Sequence, residues 1–439
     1  MKRLALIGAG ILVAGVFALA LLSSGSSLKV DPPVHAIGAE TAVRVVIDNP
    51  HGVRRVEAYL EQGGARYKIF ERVRPSTRLA FLGRRNPPVD VLFPAGKKQA
   101  PALKDGKATL RIEAVSNDFL GRTDAVTQEV TVISAPPRVV ADTFQHYINQ
   151  GGSELVVFTP SGYWTEAGVR VGARAFRSYP LPAGTRGERF SIFAFSWDTP
   201  ADTVPVVYAR NPAGTETTAR FWCRVFPKPF RTRDLKVDDR FFEKVVNQID
   251  PGGTGDLLSR FLKINGEFRR RDNQKLAALR LKTEERFLWS APFLQLANSK
   301  VESLFADKRS YIYNGRKIDE QVHLGFDLSV VQGVAVTAAN SGKVVYADDL
   351  GIYGNCIVVD HGYGLQSIYG HLSRIDVKPG DLVKRGQEMG RSGSTGLAGG
   401  DHLHFSMQVD GVQVTPVEWW DEHWLKDHIW SRVPQPPAQ

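Results

Sequence analysis

A mainly β, multidomain chain is what this sequence predicts, and three observations carry that expectation. Short alternating apolar–polar runs recur between turn signals over residues 30–135 and 138–228, the pattern of strands whose successive side chains point to opposite faces. Helical spacing of apolar residues is confined to one stretch, about 238–296. From about residue 290 the chain becomes dense in Gly, with further strand-like runs such as GKVVYADD, NCIVVDHG and GLQSIYGHL. At 439 residues it is too long for one ordinary domain. Hydrophobic content of 43% with 23% charged residues describes a folded body, not a disordered one.

The chain opens with Met1-Lys2-Arg3 and an unbroken apolar run, Leu4 to Leu22. Two cations before such a run keep the N-terminus in the cytoplasm and send the following chain across the membrane. The run's length, about 19 residues, is close to the roughly 20 that span a bilayer. It reads as a single-pass anchor, with Ala18-Leu19-Ala20 as a signal-peptidase site in the alternative; export follows either way, and residues 1–27 are set apart on this basis. Residues 23–33, SSGSSLKVDPP, read as a polar stalk.

The strands TAVRVVID, RRVEAYLE, ARYKIFERV, VDVLFPA, ATLRIEAV and VTQEVTV follow, separated by Asn-Pro, Gly-Gly, Asn-Pro-Pro and Asp-Gly turns. Strands this short and regularly spaced predict an immunoglobulin-like β-sandwich, assigned to 28–137 and closed by Ala135-Pro136-Pro137. A second β-rich domain, 138–230, is expected from ELVVFTP, RFSIFAFSW, VPVVYAR and ARFWCRVF, and ends at Pro227 and Pro229. Neither domain shows chemistry, so spacing or the binding of a protein partner is the expected role. A helical connector, 231–289, carries RFFEKVVNQI and NQKLAALRLKTEERFLW, broken by Asp250-Pro251-Gly252-Gly253. Its apolar faces, with Phe241, Phe242, Val245, Leu276 and Leu279, either pack on each other or the β-domains or cover a groove further on. Residues 290–430 form the C-terminal domain, ending in a short aromatic helix at about 418–429, and 431–439 read as a disordered tail. Cys223 and Cys356 lie in different domains and read as buried free thiols.

The chemistry concentrates in the C-terminal domain, where His323, His361, His371, His402 and His404 account for half of the chain's ten histidines. In GDHLHF, His402 and His404 are two apart and share one face of a strand. In VHLGFDLS, His323 and Asp327 are four apart; on a straight strand that is about 13 Å, so they meet at one ion only if the backbone folds over, which Gly325 permits. His371 stands in SIYGHLSRI, and the loop Ser392-Gly393-Ser394-Thr395-Gly396 leads into GDHLHF. A carboxylate with imidazoles suits Zn²⁺ with an open position for water. The chain lacks an HExxH helix, so a general base must be a histidine or the metal's own hydroxide. Asp360 and His361 read as turn residues, and His423 and His428 as structural parts of the terminal helix.

The order HLGFD, YGHLS, VKPGDLVKRGQEMGRSGSTG, HLHF resembles the lysostaphin/LytM-type zinc metallopeptidases, peptidase family M23, over about 130 residues. The resemblance implies a small antiparallel β-fold with an open groove, zinc ligands His323, Asp327 and His404, and catalytic roles beside the metal for His371 and His402. Asp401 stands where relatives often have Pro, and an acidic neighbour is expected to raise the His402 pKa. The implied function is zinc-dependent cleavage of peptidoglycan cross-links, with stem peptides as substrate and the catalytic domain in the periplasm, tethered through residues 4–22. Alternatives are a zinc protease acting on proteins and a catalytically silent envelope regulator that binds a partner hydrolase; a biotinyl- or lipoyl-like module is excluded because no Lys stands at a suitable hairpin tip. The net charge of +10 suits anionic surfaces, but scattered basic residues and the lack of a recognition motif exclude nucleic acid as the expected partner.

Overall fold

The structure, a computed structural model, describes residues 15–17, 23–76, 85–329 and 331–437. Most of the apolar run 4–22 lies outside the described residues, so the expected anchor does too. Among the described residues no helix is long and apolar enough to cross a membrane. The fold is mainly β with several sheets, and the chain forms two compact units.

The first unit comprises Met1–Arg138, Ser161–Glu166 and Ala209–Thr217. One sheet orders Ser27–Val30, Thr41–Asp48 and Val89–Ala95; the other orders Ala36–Ile37, Thr123–Val132, Gly106–Ser116, Val53–Gln62 and Ala65–Val73. Alternation dictates which side chains meet: Val43, Val45 and Ile47 from one sheet share a core with Ala58, Leu60, Leu110 and Ile112 from the other. All the strands that alternation predicts here are present. The predicted stalk is a correction: Ser27–Val30 pairs antiparallel with Thr41–Asp48, and Ser23 Oγ and Ser24 N–H donate to Asp118 at 2.9 Å. Its polar residues are used in hydrogen bonds, which composition alone does not reveal.

The second unit comprises Val139–Pro160, Ala167–Tyr208 and Thr218–Gln439. Its centre is an antiparallel sheet ordered Lys300–Ser303, Phe326–Ser329, Leu403–Val409, Leu365–Leu372, Asn355–Asp360, Gly342–Asp349 and Leu382–Val383. Leu365–Leu372 is buried along its whole length, as a central strand covered on both faces must be. A second sheet places Asp307–Tyr313 between Thr232–Lys236 and Arg316–His323.

Helices Asp239–Ile249 and residues 257–281 cover one face of the central sheet. Asp238 and Asp256 cap them by accepting from Phe241 N–H and Ser259 N–H. Phe242, Val245, Phe261, Ile264 and Leu276 form a core with Tyr311, Ile352, Val358 and Ile368. Carbonyls at the helix end also accept from the sheet, where Gln408 Nε2 donates to Leu276 O at 3.1 Å and Gln366 Nε2 to Leu279 O at 3.0 Å. Helix stops at Leu281, earlier than apolar spacing predicts. Beyond it Phe287, Trp289 and Phe293 leave helical geometry to join an aromatic cluster with Trp419 and Trp430.

Cys356 is buried and Cys223 half-buried, both free. Val433 is buried, and Gln435 Nε2 donates to Ser290 O. The terminal helices, 417–430, are fastened by two buried carboxylates. Glu154 accepts from His428 Nδ1 at 2.8 Å and from Arg432. Glu418 accepts from Ser153 N–H at 2.8 Å, Ser153 Oγ at 3.1 Å and Asn149 Nδ2 at 3.0 Å.

Burial pushes the Glu418 carboxyl up from 4.5 to about 7 despite these donors. A raised folded-state pKa means that the unfolded chain releases this proton first. Stability contributed at low pH is therefore lost as pH rises from about 4.5 to about 7, a loss on the order of 3 kcal/mol. Melting temperatures of wild type and Glu418→Gln between pH 5 and 8 test this. The difference should move in favour of the Gln variant as pH rises, whereas a constant gap would show that Glu418 does not titrate in that range.

Candidate metal centre

Two strand pairings bring the site together. Phe326–Ser329 runs antiparallel to Leu403–Val409 with Asp327 opposite His404 and Leu328 opposite Leu403. Leu365–Leu372 lies on the other side of Leu403–Val409, with Gly370 opposite His404. His402 precedes the strand and is held by a bridge to Gly393. His323 ends Arg316–His323, and the chain turns through Leu324 and Gly325 before Phe326. The fold-over that a shared His323–Asp327 site requires is thus present. The reason for glycine differs from the expected backbone freedom: a Cβ at Gly325 would lie 2.6 Å from His404 Cε1 and Nε2 and 2.8 Å from Phe405 O. Close approach of the His404 ring is what demands the missing side chain.

His323, Asp327 and His404 each offer a ligand atom within 4.8 Å of the others, a set that can hold a metal ion. All three are buried or nearly so. His323 Nδ1–H donates to Leu304 O at 3.0 Å, which directs the Nε2 lone pair inward. That Nε2 is 3.0 Å from His404 Nδ1, and both nitrogens approach Asp327 Oδ1, at 3.0 and 3.2 Å. Two inward-facing imidazole nitrogens around one carboxylate oxygen are a donor set that fits a borderline divalent cation. Burial pushes the His323 imidazolium down to about 4 and lowers His404 as well, so protons compete weakly for these lone pairs. Burial also opposes the charge on Asp327, but the histidines around it, His323 foremost, together hold its carboxyl well below the usual range.

His371 and His402 stand beside this set, their ring centroids 4.8 Å apart. His371 Nδ1–H donates to Thr395 O at 2.8 Å. Its φ of 64° is in the left-handed region that side chains avoid, a strain that surrounding structure must hold. Burial, then the neighbouring His402 and His404, keep it neutral. His402 Nδ1–H donates to Gly400 O at 2.8 Å, and its Nε2 is 3.4 Å from Asp327 Oδ1. Against the burial penalty, Asp327 raises the His402 pKa. The expected direction is present but the expected cause is not: the Asp401 carboxylate is turned away, accepting from Ser392 Oγ at 2.6 Å and Gly333 N–H at 3.3 Å.

Asp360 and His361 are not turn residues. Both are fully buried. Burial raises the Asp360 carboxyl to about 6, and it accepts from Glu284 N–H at 2.9 Å. His361 donates to Ser341 O and meets Ser367 Oγ, each at 2.8 Å, and Ser367 Oγ is 3.0 Å from Tyr369 Oη. Sequence reasoning also missed Arg309 and Tyr353, which line the groove with the site histidines. The groove encloses about 360 Å³. Nothing in the spacing around either residue marks it, because both arrive from outside the histidine motifs.

Residues 321–416 match peptidase family M23. Over 122 residues the chain is 37% identical to a Haemophilus influenzae protein described as an uncharacterized metalloprotease, covering 27% of this chain and 25% of that one. It is 35% identical over 97 residues to the DD-carboxypeptidase/endopeptidase Mpg of Neisseria meningitidis serogroup B, covering 22% of each. Over 113 residues it is 36% identical to the peptidoglycan DD-endopeptidase ShyB of Vibrio cholerae, covering 26% of each. The chain thus spans about a quarter of the length of these relatives. Residues 321–416 are an M23 peptidase domain.

Gly325→Ala should displace the His404 ring while leaving the sheets intact. Divalent-cation affinity, measured by chelator competition, should fall about 10-fold or more, as for other disturbed ligand supports, with an unchanged circular dichroism spectrum. Wild-type affinity in the variant would mean that the turn yields to the added carbon without moving His404.

Proposed function

We propose, with the M23 domain as premise, that this protein is a zinc-dependent endopeptidase that hydrolyses peptide cross-links of peptidoglycan in the cell envelope. The observation that carries the reading is the convergence of His323, Asp327 and His404 with two further histidines in one groove. A relative named as a peptidoglycan DD-endopeptidase supports the substrate class. The finer placement, with residues 4–22 holding the chain at the outer face of the cytoplasmic membrane, rests on the apolar run after Lys2 and Arg3. The immunoglobulin-like reading of the first unit rests on its two sheets around one core, and a partner-binding role for it belongs to the same proposal.

His323 Nε2, Asp327 and His404 Nδ1 would hold the zinc ion, which when bound polarises a scissile carbonyl and makes water a nucleophile near neutral pH. The chain's own residues divide the remaining work. His371, with Nδ1–H committed to Thr395 O, presents Nε2 as a proton acceptor. His402, with Nδ1–H committed to Gly400 O, presents Nε2–H as a donor to negative charge developing on the substrate oxygen. Tyr353 closes the floor of the groove, its ring edge-on to His404 at 5.4 Å and its hydroxyl donating to Asn273 Oδ1 at 2.8 Å.

Purified sacculi digested with the zinc-loaded chain from residue 23 onward should release cross-link-cleaved muropeptides, identified by mass spectrometry. Intact sacculi alongside cleavage of a Gly-rich protein would favour the protein-directed protease instead.

Metal content and turnover measured on the same samples separate the roles. His404→Ala and Asp327→Ala should each lose zinc. His371→Ala and His402→Ala should keep stoichiometric zinc and lose about 10²–10⁴-fold in turnover. Zinc retained in both members of the first pair would overturn the ligand set, and near-wild-type rates in either member of the second would remove that histidine from the reaction.

A further inference from the structure

Arg309 is on the strand Asp307–Tyr313, ahead of the segment that matches the family. The strand's register places it opposite Gln321 and places Asp307 opposite His323, so this strand runs alongside the site. The Arg309 side chain is only 17% exposed, and its Nη2 is 2.5 Å from Asp327 Oδ2. The two oxygens of Asp327 therefore face different partners. Oδ1 faces His323 Nε2, His404 Nδ1 and His402 Nε2 at 3.0, 3.2 and 3.4 Å, while Oδ2 receives the guanidinium.

We infer that Arg309 is a positioning residue that holds Asp327 as a one-oxygen ligand of the metal. The inference rests on the metal site proposed above. An ionised carboxylate can bind a cation through one oxygen or through both, and a donor that claims one oxygen leaves only the other for the metal. A short guanidinium–carboxylate bond is such a donor, charge-assisted and directional. With Oδ2 occupied, two imidazoles and one oxygen leave a four-coordinate centre with a position for an exogenous ligand. With Oδ2 free, a second oxygen can enter and raise the coordination number.

Arg309 is kept near the metal at a cost, since a guanidinium repels a divalent cation. Its removal relieves that repulsion but also loosens the ligand, which typically weakens binding about 10–100-fold. These effects oppose each other, so affinity alone does not separate a positioning role from a bystander. Coordination geometry does. Co²⁺ reports it directly, because its visible absorption is strong in four-coordinate sites and weaker when further ligands enter.

The experiment loads wild type, Arg309→Met and Arg309→Lys with one equivalent of Co²⁺ and records visible spectra, with circular dichroism to verify folding. Met keeps much of the side chain's bulk and removes the donor; Lys keeps a cationic donor. Absorption should fall by about half or more in the Met variant as the site moves from four ligands towards five, and the Lys variant should keep most of the wild-type intensity. A Met variant with the wild-type spectrum overturns the assignment. So does a Lys variant that matches Met, since a donor to Oδ2 would then not be what matters. If the Met variant does not fold, Arg309→Gln, too short to reach Oδ2, replaces it under the same two criteria. A wild type that binds no cobalt overturns the metal site itself, an outcome distinct from loss of the Arg309 role alone.

Discussion

The pairing of Asp327 with His404 across two antiparallel strands is the contact on which the rest of the groove depends. A slip of one residue would turn the carboxylate away from the imidazole, because side-chain direction alternates along each strand. Several features hold the register at once. Leu328 is fully buried beneath the pair, and Phe405 packs against Tyr369 and Trp420 at 5.4 and 5.7 Å. Ser406 Oγ donates to Leu324 O at 2.7 Å, tying the histidine strand to the turn that returns from His323. Small residues then give the His404 ring its space. A side chain at Gly325 would strike the ring, and Gly370 on the neighbouring strand sits with its own Cβ position 3.4 Å from His404 Cβ.

Behind this arrangement is a buried polar layer that contributes no ligand. His361, Ser367 and Tyr369 form a chain that ends where Tyr369 Oη accepts from Ala339 N–H at 2.8 Å. Burial lowers the His361 imidazolium to about 4, so the ring stays neutral and serves as one donor and one acceptor. The same physics acts on His323, His371 and His404, with different consequences. Where partners fill both ring nitrogens the result is structure. In His323 and His371 one nitrogen is committed to a backbone carbonyl and the other faces the groove, which leaves a lone pair available to chemistry. Burial alone therefore does not mark a histidine of the groove, since His361 is as deeply buried with both nitrogens filled.

The legible parts of this protein are those written in short-range periodicity. Alternation located the strands of the first unit from Thr41 to Val132, and the two-residue spacing of His402 and His404 placed both rings on one face. Asp250 and Pro251 marked a true helix end, since the first helix stops at Ile249. Illegible were the features decided by distant contacts. Phe287, Trp289 and Phe293 fall in the stretch read as helical, yet aromatic packing against Trp419 and Trp430 claims them. Asp360 and His361 read as a turn because a polar pair before glycine usually is one; their burial follows from Glu284, Ser341 and Ser367 closing over them. Arg309 carries no local mark because its partner is 18 positions away on another sheet.

The helices between residues 239 and 281 gain a specific meaning from these contacts. Their apolar residues are spent on the sheet rather than left free to open and close over the groove, with Phe242, Val245 and Phe261 fully buried there. Asp272 accepts from Ile352 N–H at 2.9 Å and Asn273 accepts from Tyr353 Oη at 2.8 Å, so the last helix fixes the turn that carries Tyr353. Tyr353 in turn meets the His404 ring and receives Gln413 Nε2 at 3.1 Å. A path of direct contacts thus runs from helix to turn to ligand strand. From these helices Phe241, Arg269 and Asn273 line the groove, with the cap residue Asp238 beside them, as part of its wall. The helices thus belong, with the sheet they cover, to one compact unit and one core.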